Sequence, residues 1–281
     1  AAGASYEKMR FSYQEYFERM TDRKSWGKPL SALLGALKMQ VEFGLPSIGG
    51  KDSMSGTFEN INVPPMLMAF GITTVDAEKV ISPELKFEGN KLYLIKHTPL
   101  ANHMPDVEQL KANWAYVHEQ IEAENIVSGY ALGFGGIAEA ICKMSFGNGL
   151  DAKINVDEKE LFNYGYGSIL VEVDGELDYP EAVLLGEVTD GEDSELTING
   201  VKFDLFDLMA ANSAKFAQVY PDTAEAYCKD VVPAGLEGVK PFKAKKSDLR
   251  YKGEPVQTPV AYLPVFPGTN CDYDSAKAWR N

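Results

Sequence analysis

Between residues 106 and 219 the chain alternates helix-period stretches with short apolar runs, and that alternation restricts it to a mixed α/β (α+β) fold. Residues 106–123 place Val107, Leu110, Trp114, Val117 and Ile121 on one helical face. Residues 127–136 read as irregular and glycine-rich, and 136–146 as a small-residue helix stopped around Gly147 and Gly149. Runs at 152–156, 168–173 and 183–188 read as strands. Residues 195–204 read as a hairpin pivoting on Asn199-Gly200, a pair suited to the positive φ angles of a type I′ turn. A further helix is expected from about Leu205 to Val219. No internal repeat or low-complexity tract interrupts the pattern.

Upstream, Tyr6, Met9, Tyr13, Tyr16, Phe17 and Met20 recur at three- and four-residue spacing, which predicts a helix over 5–20 with Ser5 as N-cap. A polar break follows at 21–28. Pro29 then suits a first helical position, and 30–43 reads as a second, buried helix ended by Gly44, with Pro46 enforcing the stop. Residues 65–75 read as a strand covered on both faces. Residues 76–82 are a polar connection, and 80–86 lead to a strand at 91–96.

The chain has 281 residues and a formal charge of −14, which argues against a general nucleic-acid surface; that would need clustered Lys and Arg. Acid concentrates between Asp157 and Glu195, where Lys159 is the only cation. No apolar run reaches the roughly 18 residues of a membrane span, and no signal-peptide pattern opens the chain. Cys142, Cys228 and Cys271 are widely separated, so neither a zinc site nor a disulfide framework is indicated, and a reduced, cytoplasmic setting is expected.

The stretch richest in chemistry is Ser47-Ile48-Gly49-Gly50-Lys51-Asp52-Ser53-Met54-Ser55-Gly56. Glycines let backbone N–H groups approach a ligand closely, Asp offers a hard oxygen to magnesium, and serine hydroxyls bond phosphate. One reading is a metal-assisted phosphate site. The other is a polar turn between helix and strand. It is not a Walker A loop, because Asp52 separates Lys51 from Ser53 and the upstream glycine spacing is absent.

Three segments together resemble the large, single-chain form of phosphoribosylformylglycinamidine synthase, the glutamine- and ATP-dependent enzyme of purine biosynthesis. Residues 50–55 resemble the GKDSMS motif of its second synthetase half. Ile81-Ser82-Pro83-Glu84-Leu85-Lys86 is similar to the segment that follows it. Val265-Phe266-Pro267-Gly268-Thr269-Asn270-Cys271-Asp272-Tyr273-Asp274 is similar to the start of the family's class I glutamine amidotransferase domain. The resemblance implies an aminoimidazole ribotide synthetase-like fold. Residues 1–80 would be the C-terminal part of an ATP-binding-type synthetase domain, and 81–230 its C-terminal-type α/β partner. Residues 231–258, punctuated by Pro233, Pro241 and Pro255 and rich in lysine, would be a linker. Residues 259–281, an apolar strand at 259–266 and an opening helix, would be an amidotransferase stub. The chain is therefore expected to be a fragment without synthase activity alone. In the intact enzyme ATP activates the formyl amide oxygen of formylglycinamide ribonucleotide, and glutamine-derived ammonia displaces phosphate to give the amidine.

Carried over residue by residue, the resemblance makes Asp52 a Mg2+ ligand and places Ser53 and Ser55 near phosphate or substrate. Gly50 becomes a close-approach backbone and Lys51 a charge partner, around ATP or ADP. The remaining synthetase half and the amidotransferase domain are the implied partners. One departure stands out: relatives carry an acid before the Gly-Gly of the partner domain, where this chain has Gly133-Phe134-Gly135-Gly136. The Gly-Gly turn still offers backbone N–H groups to an anion; the carboxylate is lost. Two other classes stay open: a selenophosphate synthetase or thiamine-phosphate kinase type of enzyme, and a non-catalytic nucleotide-binding scaffold. His97, His103 and His118 are too scattered for a metal motif, Cys271 has no nearby His, and Glu187 in a Gly-Glu-Val-Thr strand reads as structural.

Overall fold

Strand β1 (Arg10–Tyr16), helix α1 (Arg23–Phe43) and strand β2 (Ser47–Ser53) form a β–α–β unit with the two strands parallel. They belong to a computed structural model that describes residues 1–191, 194–218, 257–258, 260–266, 269 and 271–280. The chain divides into two compact units, Ala1–Asp222 and Thr223–Asn281.

The helix expected over 5–20 is not formed. A short 3-10 turn at Tyr6–Lys8 gives way to β1, the central strand of a three-stranded sheet flanked by β2 and by antiparallel β5 (Met66–Ile72). Aromatic residues fit a pleated surface at least as well as a helix, and two ladders outweigh a local helical spacing. Helix α1 starts six residues before Pro29, because Asp22 and Ser25 close a reciprocal capping box: Ser25 N–H donates to Asp22 at 2.8 Å, and Asp22 N–H to the Ser25 hydroxyl at 3.0 Å. Gly44 ends it with φ 67°, as its position predicts. Neither α1 nor β5 is covered as expected. Trp26, Leu30, Leu34, Leu37 and Val41 on the helix, and Met66, Phe70 and Ile72 on the strand, remain exposed, since no described element packs over them. A small hairpin, β3 (Thr57–Phe58) and β4 (Ile61–Asn62), follows β2.

Within the same unit, β6 (Lys91–Ile95), β7 (Ile126–Ala131), β8 (Asp151–Ile154), β9 (Ile169–Val173), β10 (Ala182–Thr189), β11 (Glu195–Ile198) and β12 (Val201–Asp204) form a seven-stranded sheet ordered β12-β11-β8-β10-β6-β9-β7. Only β8 and β11 pair in parallel. Leu92, Leu94 and Leu170 point to one face, where they meet Ile137, Ile141 and Met144 of α3 (Gly136–Asn148). Tyr93, Ile95, Val171 and Val173 point to the other, against Val117 and Ile121 of α2 (Val107–Glu122). Burial on both faces is why β6 and β9 are largely apolar, the exception in β9 being Glu172. Helices α4 (Glu158–Leu161) and α5 (Leu205–Ala214) complete this layer.

Residues 127–131 are not irregular but part of β7, whose small residues admit close neighbours: the Ser128 hydroxyl donates to the Pro83 carbonyl at 2.8 Å. Asn199 and Gly200 have φ 52° and 81° at the β11–β12 turn, as the sequence requires. The 82–86 arm is tied at both ends of its run. Leu85 N–H donates to the Met144 carbonyl, and fully buried Glu172 accepts from Lys86 N–H, Phe87 N–H and the Asn90 amide at 2.8–2.9 Å. Tyr6 and Phe43 pack on Trp114, the latter stacked at 5.1 Å, linking the N-terminal elements to α2.

In the second unit α6 (Asp272–Arg280) forms where a helix was expected, but residues 260–266 form no strand. A strand needs a ladder partner, and the described residues there make none. The helix expected to run to Val219 ends at Ala214, and residues 215–218 continue as turn. Val219 itself and the linker expected over 231–258 apart from 257–258 lie outside the described residues, as do Pro267, Gly268 and Asn270 of the amidotransferase-like segment. Among the described residues no helix is long and apolar enough to cross a membrane.

Candidate functional site

Residues 50–53, for which the sequence leaves both a phosphate site and a polar turn open, lie on β2, an edge strand. The reason is the parallel ladder to β1, which pairs Tyr13 with Gly50, Gln14 with Lys51, Glu15 with Asp52 and Tyr16 with Ser53. Side chains alternate across a strand, so the expected site residues divide between two faces. Gly50 and Asp52 share a face with Tyr13 and Glu15. Lys51 and Ser53 share the opposite face with Gln14 and Tyr16, and Lys51 Nζ lies 6.0 Å from the centre of the Tyr16 ring. Lys51 is therefore not placed beside Asp52, and among the described residues it makes no ion pair. Ser55 lies past the end of the strand and is exposed.

Gly50 is required by close approach. A Cβ there would stand 2.6 Å from the Tyr13 carbonyl oxygen, whereas one on Gly49 would meet nothing within 4 Å. Gly56 is equally constrained, by Val63 and by the Phe17 carbonyl to which its own N–H donates at 3.0 Å. The strand is thus held tightly against β1 while its outer edge and both faces remain open, and every second backbone N–H of an edge strand points away from the sheet.

Glu15 escaped the sequence reading. It is 8% exposed, and its Oε2 has no hydrogen-bond partner. Burial first, and then the charge of Asp52, push its carboxyl above the ordinary value. A strand at 10–16 would have revealed it; a helix at 5–20 could not. Two adjacent carboxylates suit a divalent cation, since Mg2+ takes one or two carboxylates and completes its shell with phosphate and water. Among the described residues there is no cluster of three or more His, Cys, Asp or Glu, so the pair by itself would leave most of the ion's shell to phosphate and water. The orphaned Glu15 oxygen beside Asp52 fits such an ion.

The Gly135-Gly136 turn behaves differently from expectation. Gly135 N–H donates to Glu139 Oε2 at 2.9 Å, and Gly136 N–H to the Gly133 carbonyl at 3.2 Å, so both are already satisfied from within. Lys143, 2.6 Å from Glu139, holds that carboxyl below its ordinary range. Phe134, 74% exposed, stacks on Tyr164 at 4.8 Å beside a cavity of about 420 Å³ lined in part by Lys96, His97, Glu160 and Tyr166. His97 is structural: Nδ1 faces the Tyr166 carbonyl at 2.8 Å and Nε2 accepts from Asp106 N–H at 3.1 Å. His118 Nδ1 lies 2.9 Å from the Gly3 carbonyl, Glu187 pairs with Lys91 at 2.8 Å, and Cys271 is exposed.

No family model and no curated protein matches the chain. Solved structures do. PurLQS from Thermotoga maritima is similar over 73% of this chain and 38% of that one, with TM-score 0.54 and 13% identity. Thermotoga maritima PurL complexed with ADP is similar over the same shares, with TM-score 0.52 and 12% identity. The hydrogenase maturation protein HypE is similar over 70% of this chain and 75% of its own, again at TM-score 0.52 and 12% identity. The chain has the aminoimidazole ribotide synthetase-like fold. It spans 38% of the length of these PurL chains.

Proposed function

We propose that β2 is one wall of a Mg2+–nucleotide site in an ATP-dependent enzyme of the aminoimidazole ribotide synthetase-like superfamily. The finer reading is phosphoribosylformylglycinamidine synthase: residues 1–80 and 81–230 belong to its second synthetase half, and 259–281 open its glutamine amidotransferase domain. The observation that carries the nucleotide reading is the open edge of β2, which presents Asp52 within a PurL-like fold. PurL complexed with ADP and HypE complexed with ATP support it by analogy of fold.

Asp52 holds the metal in this reading, and the bound ion supplies charge neutralisation at phosphate oxygens, the main requirement of phosphoryl transfer. A phosphate chain lying along the edge of β2 meets both faces of the strand. Outward N–H groups and the hydroxyls of Ser53 and Ser55 then donate to its oxygens, and Lys51 adds a cation from the opposite face. The exposed stripe of α1 fits an assembly in which further protein covers this layer.

Calorimetry with ADP, with and without Mg2+, tests the reading. Asp52→Asn is expected to weaken Mg2+-dependent binding at least about tenfold, because one charge-assisted contact is worth roughly 1.5–3 kcal/mol. Binding untouched by the substitution removes Asp52 as a metal ligand. A nucleotide-binding scaffold is the second reading, favoured by Phe134 in the acid's place and by the self-satisfied Gly135-Gly136 turn. Its mark is Asp52-dependent ADP binding with no ATP turnover in the assembled protein.

A further inference from the structure

We infer that Glu15 is the second protein ligand of the divalent cation held by Asp52, so that the metal site is built by two neighbouring strands. This rests on the reading of Asp52 as a metal ligand and adds a residue that no motif marks.

The geometry is that of a parallel pair. Glu15 and Asp52 are register partners, so their side chains project to the same face of the sheet. On the other side of Glu15, β5 presents Leu67, which brings no charge.

Glu15 also lacks what a buried carboxylate needs. Among the described residues, three buried side-chain atoms have no hydrogen-bond partner: Glu15 Oε2, Thr73 Oγ1 and Ser145 Oγ. Only the first belongs to an ionisable group. No described cation compensates it: Lys51 is turned to the opposite face over Tyr16, and Lys28 is paired with Glu18 at 2.5 Å. A buried carboxylate is ordinarily paired, hydrogen-bonded or bound to metal. Among the described residues a cation partner and a hydrogen bond to Oε2 are missing; a proton or a metal remains, and with a second carboxylate alongside a hard dication can serve both groups at once.

Mn2+ provides a direct probe, because its free-ion electron paramagnetic resonance signal disappears on binding. The full chain is titrated with Mn2+, alone and with ADP, alongside Glu15→Gln, Asp52→Asn and the exposed control Glu7→Gln. The expected result is uptake by wild type and by E7Q, and at least tenfold weaker uptake by both E15Q and D52N. Thermal unfolding gives a second readout: Mn2+ raises the midpoint of wild type and leaves that of E15Q in place. If E15Q does not fold, Glu15→Asp, which keeps the charge but withdraws it by one methylene, is read in the same way. Undiminished uptake by E15Q with loss in D52N overturns the role of Glu15 and spares that of Asp52. Undiminished uptake by both variants, or none by wild type under either condition, overturns both.

Discussion

Gly49 and Gly50 are adjacent, alike in sequence and unlike in structure, so alanine at each gives a matched test of how β2 is held. Replacing a strand glycine by alanine recovers about 0.5–1 kcal/mol of backbone entropy at either position. At Gly49 nothing lies within 4 Å of the new Cβ, so that gain stands and Gly49→Ala is expected to stabilise by about 0.5–1 kcal/mol. At Gly50 the Cβ arrives 2.6 Å from the Tyr13 carbonyl oxygen, a backbone atom that cannot rotate away. Relief requires β2 to move off β1, at the roughly 1–3 kcal/mol typical of overpacking. The net for Gly50→Ala is a loss of up to about 2.5 kcal/mol, against a gain for Gly49→Ala. Urea unfolding gives the stability difference, and amide exchange at residues 13–16 shows whether the β1–β2 ladder opens. The same displacement separates Asp52 from Glu15, so Gly50→Ala also loses Mn2+ uptake. Equal stability of the two variants, or faster exchange in Gly49→Ala, would refute the account of why this strand carries two glycines.

The Lys86 ammonium, and after it the Ser82 hydroxyl, hold the Glu84 carboxyl at about 2, against an ordinary 4.5. Because the folded value is the lower one, this cluster's contribution is fully present above about pH 4.5 and is lost as the pH falls toward 2. The stability gap between wild type and Glu84→Gln should therefore close over that window in an acid-unfolding series; a gap that does not change with pH counts against the cluster. Glu139→Ala should cost about 0.5–2 kcal/mol by uncapping the Gly135 N–H. It should also make the melting temperature respond to added sulfate where wild type does not, and an unresponsive variant would mean that the turn is closed to anions for another reason.

What was legible in the sequence is what is decided locally. Helix α2 announces itself through a stripe that finds the sheet one turn after another, and the β11–β12 hairpin through Asn199-Gly200, whose positive φ angles few other pairs tolerate. Asp52 stands out in the sequence as a candidate, because its neighbours carry the chemistry. Glu15 was not. Tyr13, Tyr16 and Phe17 satisfy a helical spacing as readily as a strand, and what makes 10–16 a strand is pairing with residues 47–53 and 66–72, which no local window contains. Parallel neighbours cannot be joined by a tight turn; they require a crossover, and α1 is that crossover. The capping box at Asp22 and Ser25 and the left-handed Gly44 fix where the crossover leaves β1 and where it delivers β2. They thereby set which residue of β1 faces Asp52. A motif that looks self-contained in the sequence is completed by a residue 37 positions upstream, through a helix whose two ends determine the register. The carboxylate pair is a property of the β1–α1–β2 unit as a whole, and the GKDSMS motif supplies only half of it.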